Sequence, residues 1–431
     1  MRNETRLALC AALMAAGMAA NAETIAVSAA KLIDVQSGKV IDHPVVLIEN
    51  ERITAVGPAA SITVPATAKR VDLPNLTLLP GLIDMHVHLT AEATIGGFNS
   101  LLYTDSFWPV VGVKNAKATL NAGFTSVRNV GSEHFDDVAL RQAIDENFIE
   151  GPRITTATYA LSATGGHCDE TYFPPSMNQT SPAVGDSPDE LRKKVRWVHK
   201  YGAQVIKICA TGGVFDHGDR PGAQQLNLEE IKAITEEAHM EGLKVAAHAH
   251  GTSGIADAIR GGVDTIEHSS LIDDEGIKLA KEKGAYLSMD IYNTDYTQAE
   301  GKKNGVLEEN LKKDRDLGDI QRENFKKAVK AGVKMIFGSD AGVYPHGDNA
   351  KQFAVMVRYG MTPLQAIQAA TVTAAKALDQ DKNVGQIQAG KFGDIIGVAG
   401  DPLADVTVLE HVAFVMKGGE VFKNDVRQAT P

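Results

Sequence analysis

From Leu82 to Gly338 the chain alternates short apolar runs with longer stretches of helical periodicity, a pattern that few folds accept. The strand candidates are Leu82–Val87, Thr125–Asn129, Arg153–Ala157, Val205–Ala210, Lys244–His248, Asp264–His268, Tyr286–Asp290 and Lys334–Gly338. Strands spaced in this way pair in parallel, and the helix between them serves as the crossover. The helix starts are written in the sequence. Ser187-Pro188-Asp189-Glu190 offers a capping hydroxyl, a proline at the first helical position and a glutamate that can bond back to the cap. Asn227-Leu228-Glu229-Glu230 and Thr362-Pro363-Leu364-Gln365 repeat that logic. Eight such units predict an α/β fold, a (β/α)8 barrel of the TIM type over residues 81–384, with a doubly wound open sheet as the structural alternative.

The flanks read differently. Thr24–Ser28, Val45–Glu49, Arg52–Val56 and Leu76–Leu79 are short strand candidates, separated by Ser37-Gly38, Glu49-Asn50 and Gly57-Pro58 turns. Asp394–Ala399, Val412–Lys417 and Glu420–Lys423 continue the pattern at the other end. Residues 23–80 and 385–431 are therefore expected to build one small β-sandwich from both chain ends. Two connections exceed ordinary loop length: Leu161–Asp186, with Gly165-Gly166-His167-Cys168, and Ile291–Ile320, charged around Lys302 and Asp314. Segments of that length on a catalytic face serve as lids or subunit contacts. For the second, a solvated helical excursion is the plainer alternative.

Residues 1–22 stand apart. Arg2 and Arg6 precede an apolar run, Leu7 to Ala20, closed by Ala20-Asn21-Ala22, which predicts a secretory signal removed after Ala22. The run is short for a membrane anchor, and Cys10 lies inside it rather than at its end, against a lipoprotein. Export to the periplasm or the medium is the expectation. The formal net charge of −11 argues against nucleic acid and anionic membrane surfaces as partners. After cleavage only Cys168 and Cys209 remain, no disulfide framework, although one bridge would suit an oxidising compartment.

The chemistry sits at the strand ends. His86 and His88 are two apart on one strand, so both imidazoles share a face while Met85 and Val87 turn away. Alone, such a pair is weak evidence. Lys207 interrupts the apolar run Val205-Ile206-Lys207-Ile208, where an unpaired ammonium would be costly. His248 ends one strand, His268 the next, and Asp340 follows Gly338-Ser339 at the last. Barrels take their catalytic groups from the carboxyl ends of several strands, and all six residues fall there.

Six segments carry a resemblance: Pro80-Gly81-Leu82-Ile83-Asp84-Met85-His86-Val87-His88, Ala163-Thr164-Gly165-Gly166-His167, Val205-Ile206-Lys207, Ala247-His248-Ala249-His250-Gly251, Thr265-Ile266-Glu267-His268 and Gly338-Ser339-Asp340-Ala341. The chain resembles the amidohydrolase superfamily, within it the metal-dependent Xaa-Pro dipeptidase and carboxypeptidase-like branch that includes ochratoxin-hydrolysing amidohydrolases. The resemblance extends to Gly393-Asp394-Ile395. It implies two divalent ions, zinc first among them, held by His86, His88 and Asp340 on one side and by His248 and His268 on the other. Iron, cobalt and manganese share such ligands. Lys207 would bridge the ions as an N6-carboxylated side chain; a plain lysine salt-bridged to Asp340 is the alternative. The resemblance further implies attack by a metal-activated hydroxide with Asp340 as general acid and base. His167 would stabilise negative charge developing on the substrate.

Substrate contacts are sought at His250, which shares a face with His248, and on loops at His217, Tyr292 and Tyr344. A rim-packed histidine is the alternative for His250. Arg128 could grip a carboxylate, although a structural ion pair is the reading preferred for it. Cys209 faces the side of Lys207 without an assigned role. The implied reaction is hydrolysis of an amide next to a free carboxylate, in a dipeptide, an N-acyl amino acid or an ochratoxin-like aryl amide. Cyclic-amide or imidazolone hydrolysis and aryl-ester or phosphotriester hydrolysis are the alternatives, with a catalytically silent metal- or ligand-binding protein outside enzymology. The expected partner is a small amide or dipeptide, and the expected assembly a homo-oligomer.

Overall fold

The computed structural model describes residues 23–426, so the expected signal lies outside the described residues. Five strands open the fold: β1 (Ile25–Asp34), β2 (Lys39–Asp42), β3 (Pro44–Glu49), β4 (Arg52–Pro58) and β5 (Lys69–Pro80). β5 is far longer than the apolar Leu76–Leu79 that marks it in sequence. Its first half is largely exposed and polar, and Pro74 sits where the register against β1 shifts, so hydropathy hides it.

Eight strands with helices among them follow: β6 (Leu82–Val87), β7 (Phe124–Asn129), β8 (Arg153–Thr156), β9 (Val205–Cys209), β10 (Lys244–Ala249), β11 (Thr265–His268), β12 (Tyr286–Ser288) and β13 (Lys334–Ile336). Their pairings are parallel, β6 to β8 in one sheet and β9 to β13 in another. The expected alternation is present, in two sheets rather than one uninterrupted ladder. Between the sheets, chain beyond the strands carries the bonding: Leu161 N–H donates to Lys207 O at 2.8 Å, and Asp340 N–H to His86 O at 2.8 Å. β12 and β13 end two residues earlier than hydropathy predicts, because Met289–Asp290 and Phe337–Gly338 have left the ladder.

β14 (Ile395–Ala399), β15 (Val412–Lys417) and β16 (Glu420–Asn424) return antiparallel, β14 against β5. Both chain ends therefore meet, but in a single eight-stranded sheet of order β16-β15-β14-β5-β1-β3-β4, with β2 on β1.

The main core joins Ile206, Ile208, Val245, Ile266 and Leu287 of the parallel strands to Val195, Ile234, Ile255, Ile277 and Phe325 of the helices. The predicted caps are in place. Ser187 accepts from Glu190 N–H, while Asn227 with Glu230 and Thr362 with Gln365 form reciprocal capping boxes. The first long connection is mostly irregular, and its Cys168 is disulfide-bonded to Cys209 with Cα atoms 6.1 Å apart. The second folds into helices Asn293–Glu300 and Glu308–Ala331, and the longer one buries Asn310, Leu311, Asp314, Leu317 and Gln321. It is not a solvated excursion.

Candidate metal centre

Strand alternation sends His86 and His88 to the same side of β6, and both reach the carboxylate beyond β13. His86 Nε2 lies 3.3 Å and His88 Nε2 3.4 Å from Asp340 Oδ1. At the ends of the neighbouring strands, the rings of His248 and His268 have centroids 4.5 Å apart, and those of His86 and His268 5.0 Å. His86, His88 and Asp340 form one set of donors and His248, His250 and His268 another, the donor atoms of each lying within 4.8 Å of one another. A third set, His268, Asp290 and Asp340, links them. His268 and Asp340 both hold left-handed backbone, φ 67° and 59°, which side chains other than glycine adopt at a cost. The fold spends that strain where the donors converge.

Each ring is oriented from behind. His86 Nδ1–H donates to Glu267 Oε2 at 3.0 Å, His88 Nδ1–H to Gly131 O at 3.2 Å, and His268 Nδ1–H to Asp290 Oδ1 at 2.9 Å. In all three the Nε2 lone pair is left for the centre, the arrangement that metal-binding imidazoles use. His248 Nε2 is buried without a hydrogen-bond partner. Lys207 is buried too, and makes neither an ion pair nor a side-chain hydrogen bond among the described residues. The salt bridge to Asp340 that would explain it as a plain lysine is not formed.

Electrostatics follow from burial and neighbours. Burial pushes the Lys207 amine down to about 8, with Glu267 opposing and Arg128 assisting. Burial, then the neighbouring histidines, hold His248 and His250 well below the ordinary imidazole value, and burial lowers His88. For Asp340 burial acts upward, but His86 and His88 outweigh it and keep the carboxyl well below its usual range. His86 moves the other way: burial and Lys207 lower it, and Asp340 and Glu267 lift it further. At His88, His248 and His250 burial thus favours the neutral imidazole, which beside an ionised carboxylate is the state that donates to a metal. With a partnerless buried nitrogen among them, this donor set fits divalent cations.

Around the centre, His167 stacks on His248 with centroids 4.0 Å apart, and His250 Nδ1 bonds Ser270 Oγ at 2.8 Å. Tyr344 is fully buried against the half-buried Tyr292, ring centroids 4.9 Å apart. His217 departs from its expected role. It is exposed and paired with Glu309 at 2.8 Å, because its loop docks on the second insertion. Arg128 is the structural ion pair: its guanidinium meets Glu267 at 2.7 Å, Thr265 Oγ1 at 2.8 Å and Met85 O at 2.6 Å, fully buried. Cys209 is spent in the disulfide. Glu267, Asp290, Asn293 and Asp216 all serve the site and were not singled out from sequence. Of these only Glu267, a carboxylate within a buried strand, carried the kind of signal that exposed Lys207.

The geometry can be set against known proteins. The model of the amidohydrolase family matches residues 77–422. The ochratoxinase of Aspergillus niger is 33% identical over 415 residues, covering 90% of this chain and 84% of that protein. A Xaa-Pro dipeptidase with methionine bound in its active site superposes with a TM-score of 0.88 at 34% identity, over 93% of this chain and all of the other. A prolidase complexed with N-methylphosphonate-L-proline gives 0.85 at 30% identity, again over 93% of this chain and all of the other. On a match that runs from the end of β5 into β16 and takes in every one of these donors, the chain belongs to the amidohydrolase family.

Proposed function

We propose that this protein is a metal-dependent hydrolase of amides that stand next to a free carboxylate, in dipeptides, N-acyl amino acids or ochratoxin-like aryl amides. The observation that carries the reading is the convergence of histidine and aspartate donors in three sets linked through His268 and Asp340, with His248 Nε2 among them as a buried nitrogen without a partner. The two parallel sheets are read as one (β/α)8 barrel, whose strand ends would present the donors. His86, His88 and Asp340 would hold one divalent ion and His248 with His268 a second, zinc first by donor type. Lys207, unpaired and with its amine pushed down to about 8, is suited to carboxylation and to bridging the two. When bound, the ions supply an acidified water and polarise the scissile carbonyl.

The chain's own residues do the rest. Asn293 Nδ2 donates to Asp340 Oδ2 at 3.0 Å, which fixes the carboxylate with Oδ1 toward His86 and His88. Asp340 takes the water's proton and returns it to the leaving nitrogen, so that amide and water become acid and amine. His167 Nδ1 is committed to Asp216, leaving Nε2 to face the substrate. Beside Gly251 a cavity of about 660 Å³ is lined by Arg220 and Arg260 together with Asp273 and Glu275, and by none of the donors. Relatives described as an ochratoxinase, a Xaa-Pro dipeptidase and a prolidase support this substrate class. The Cys168–Cys209 bridge supports export.

The test is metal analysis joined to a substrate panel. N-acyl-phenylalanines and Xaa-Pro dipeptides should be cleaved in preference to a lactam or an aryl ester, by protein carrying close to two metals per chain. Asp340→Asn should lower kcat by roughly 10³-fold while substrate binding persists. Preference for the lactam or ester would overturn the substrate class, and less than one metal per chain with no activation by zinc would overturn the enzyme.

A further inference from the structure

The two long insertions meet at a carboxylate that belongs to neither. Asp216 is buried at 1% exposure on the loop after β9, and its Oδ2 accepts from His167 Nδ1 at 2.8 Å and from Gly213 N–H at 2.9 Å. Its Oδ1 pairs with Lys313 Nζ at 2.5 Å, and its carbonyl accepts from Asn310 Nδ2 at 3.1 Å and Lys313 Nζ at 2.9 Å. His167 comes from the insertion after β8, whereas Asn310 and Lys313 come from the helix Glu308–Ala331. A buried carboxylate is expensive unless its partners are in place, and here the partners are drawn from both insertions.

The ring of His167 is closely held. It stacks on His248, and Gly213 packs so close to it that any side chain at 213 would collide with the imidazole. The adjacent Cys168 is bonded to Cys209, two residues beyond Lys207, so the loop backbone is pinned to the strand that carries the buried lysine. A loop merely glued to its neighbour needs no tautomer-selecting acceptor behind a histidine that faces the centre.

We propose that Asp216 and Lys313 are positioning residues that act through His167. Asp216 selects the Nδ1–H tautomer and fixes the ring plane, and Lys313 holds Asp216 in place from the second insertion. This rests on the reading of His167 as the group that faces the substrate. It makes the helix Glu308–Ala331 part of the site, joining the two insertions into one unit over the donors.

A double-mutant cycle decides it. With the best substrate of the panel above, Asp216→Asn and Lys313→Met should each lower kcat/KM, mostly through kcat, toward the order of 10²-fold that a misplaced group costs. Metal content should stay at the wild-type value. In a His167→Asn background neither should cost more than about twofold, since their route to the substrate is gone. Losses that multiply fully in that background would overturn the proposal. If the wild-type protein cleaves nothing in the panel, the proposed function fails and this inference is decided by long-range 15N NMR of histidine-labelled protein. There the His167 signals, assigned by their loss in His167→Asn, should show the Nδ1–H tautomer and should change in Asp216→Asn and in Lys313→Met. A tautomer unmoved in both variants would overturn it, and Lys313→Met carries the decision alone should Asp216→Asn fail to fold.

Discussion

His86 owes its orientation to a charge pair that never meets solvent. Glu267 accepts from His86 Nδ1 through one oxygen and from Arg128 through the other, and all three side chains are buried. Removing one partner of such a pair costs about 3–5 kcal/mol, because the survivor is left charged in an apolar surround. Glu267→Gln should therefore destabilise the fold by about that much, and adding Arg128→Met should recover part of the loss; urea unfolding of the single and double variants measures both. His346 supplies a pH term. Its ring stays neutral between Thr119 Oγ1 at 3.0 Å and the carbonyl of His88 at 3.1 Å, and burial pushes it down from 6.5 to about 4. Between those values the unfolded chain binds a proton that the folded chain refuses, so stability is lost as pH falls from about 6.5 to about 4. At about 1.4 kcal/mol per unit the loss reaches at most ~3 kcal/mol, since the ring is partly exposed. His346→Gln should be flatter than wild type over that window in urea midpoints taken from pH 4 to 7, and equal pH slopes would refute the assignment. At this scale the donors were legible because residue type and two-residue spacing mark them. Asp216 was not, since a carboxylate on a loop looks in sequence like any solvated one, and Asp290 ends a strand candidate with no histidine two residues away to mark it.

Elements were legible wherever hydropathy and capping chemistry agree. The parallel strands were placed to within two residues at each end, and the three predicted caps bond as their side chains require. Asn227→Ala deletes the two bonds that its side chain accepts, from Glu229 and Glu230 N–H, and should cost about 1 kcal/mol of stability, with metal content unchanged. A fall in metal content would show that the helix Leu228–Met240 supports the centre more directly than its place in the fold implies. Legibility failed where pairing, not hydropathy, makes the strand. β2 and the first half of β5 are largely exposed and exist because β1 offers them a ladder. It failed again in the second insertion, whose charged sequence conceals an inner face. Asp314 accepts from Thr294 Oγ1 at 2.8 Å and Gln298 Nε2 at 2.6 Å, while Gln321 Nε2 reaches Asp290 Oδ1 at 3.1 Å, so polar residues fill positions where hydropathy looks for apolar ones.

Over the whole molecule the centre and the fold share one free energy. The donors come from four strands and the segments that follow strand ends, so they converge only when both parallel sheets and the edges between them are formed. Without cations the folded chain carries, among the described residues, a buried nitrogen that bonds nothing, a buried unpaired lysine and, at His268 and Asp340, two donors in left-handed backbone. Each is a cost that the unfolded chain does not bear. Cations that bind the folded state alone stabilise it by RT ln(1 + [L]/Kd), about 4 kcal/mol per site at a thousandfold excess over Kd. The end sheet makes that effect global, because β5 leads through Gly81 into β6 and pairs with β14, tying both flanks to the first donor strand. Chelation should therefore lower the whole unfolding transition by several degrees, and zinc should restore it. His248→Ala should shrink the zinc-induced shift without abolishing it, since His86, His88 and Asp340 remain. Calorimetry with chelator, with zinc and with that variant reads all three, and a transition indifferent to chelator and to zinc would mean that these donors hold no metal.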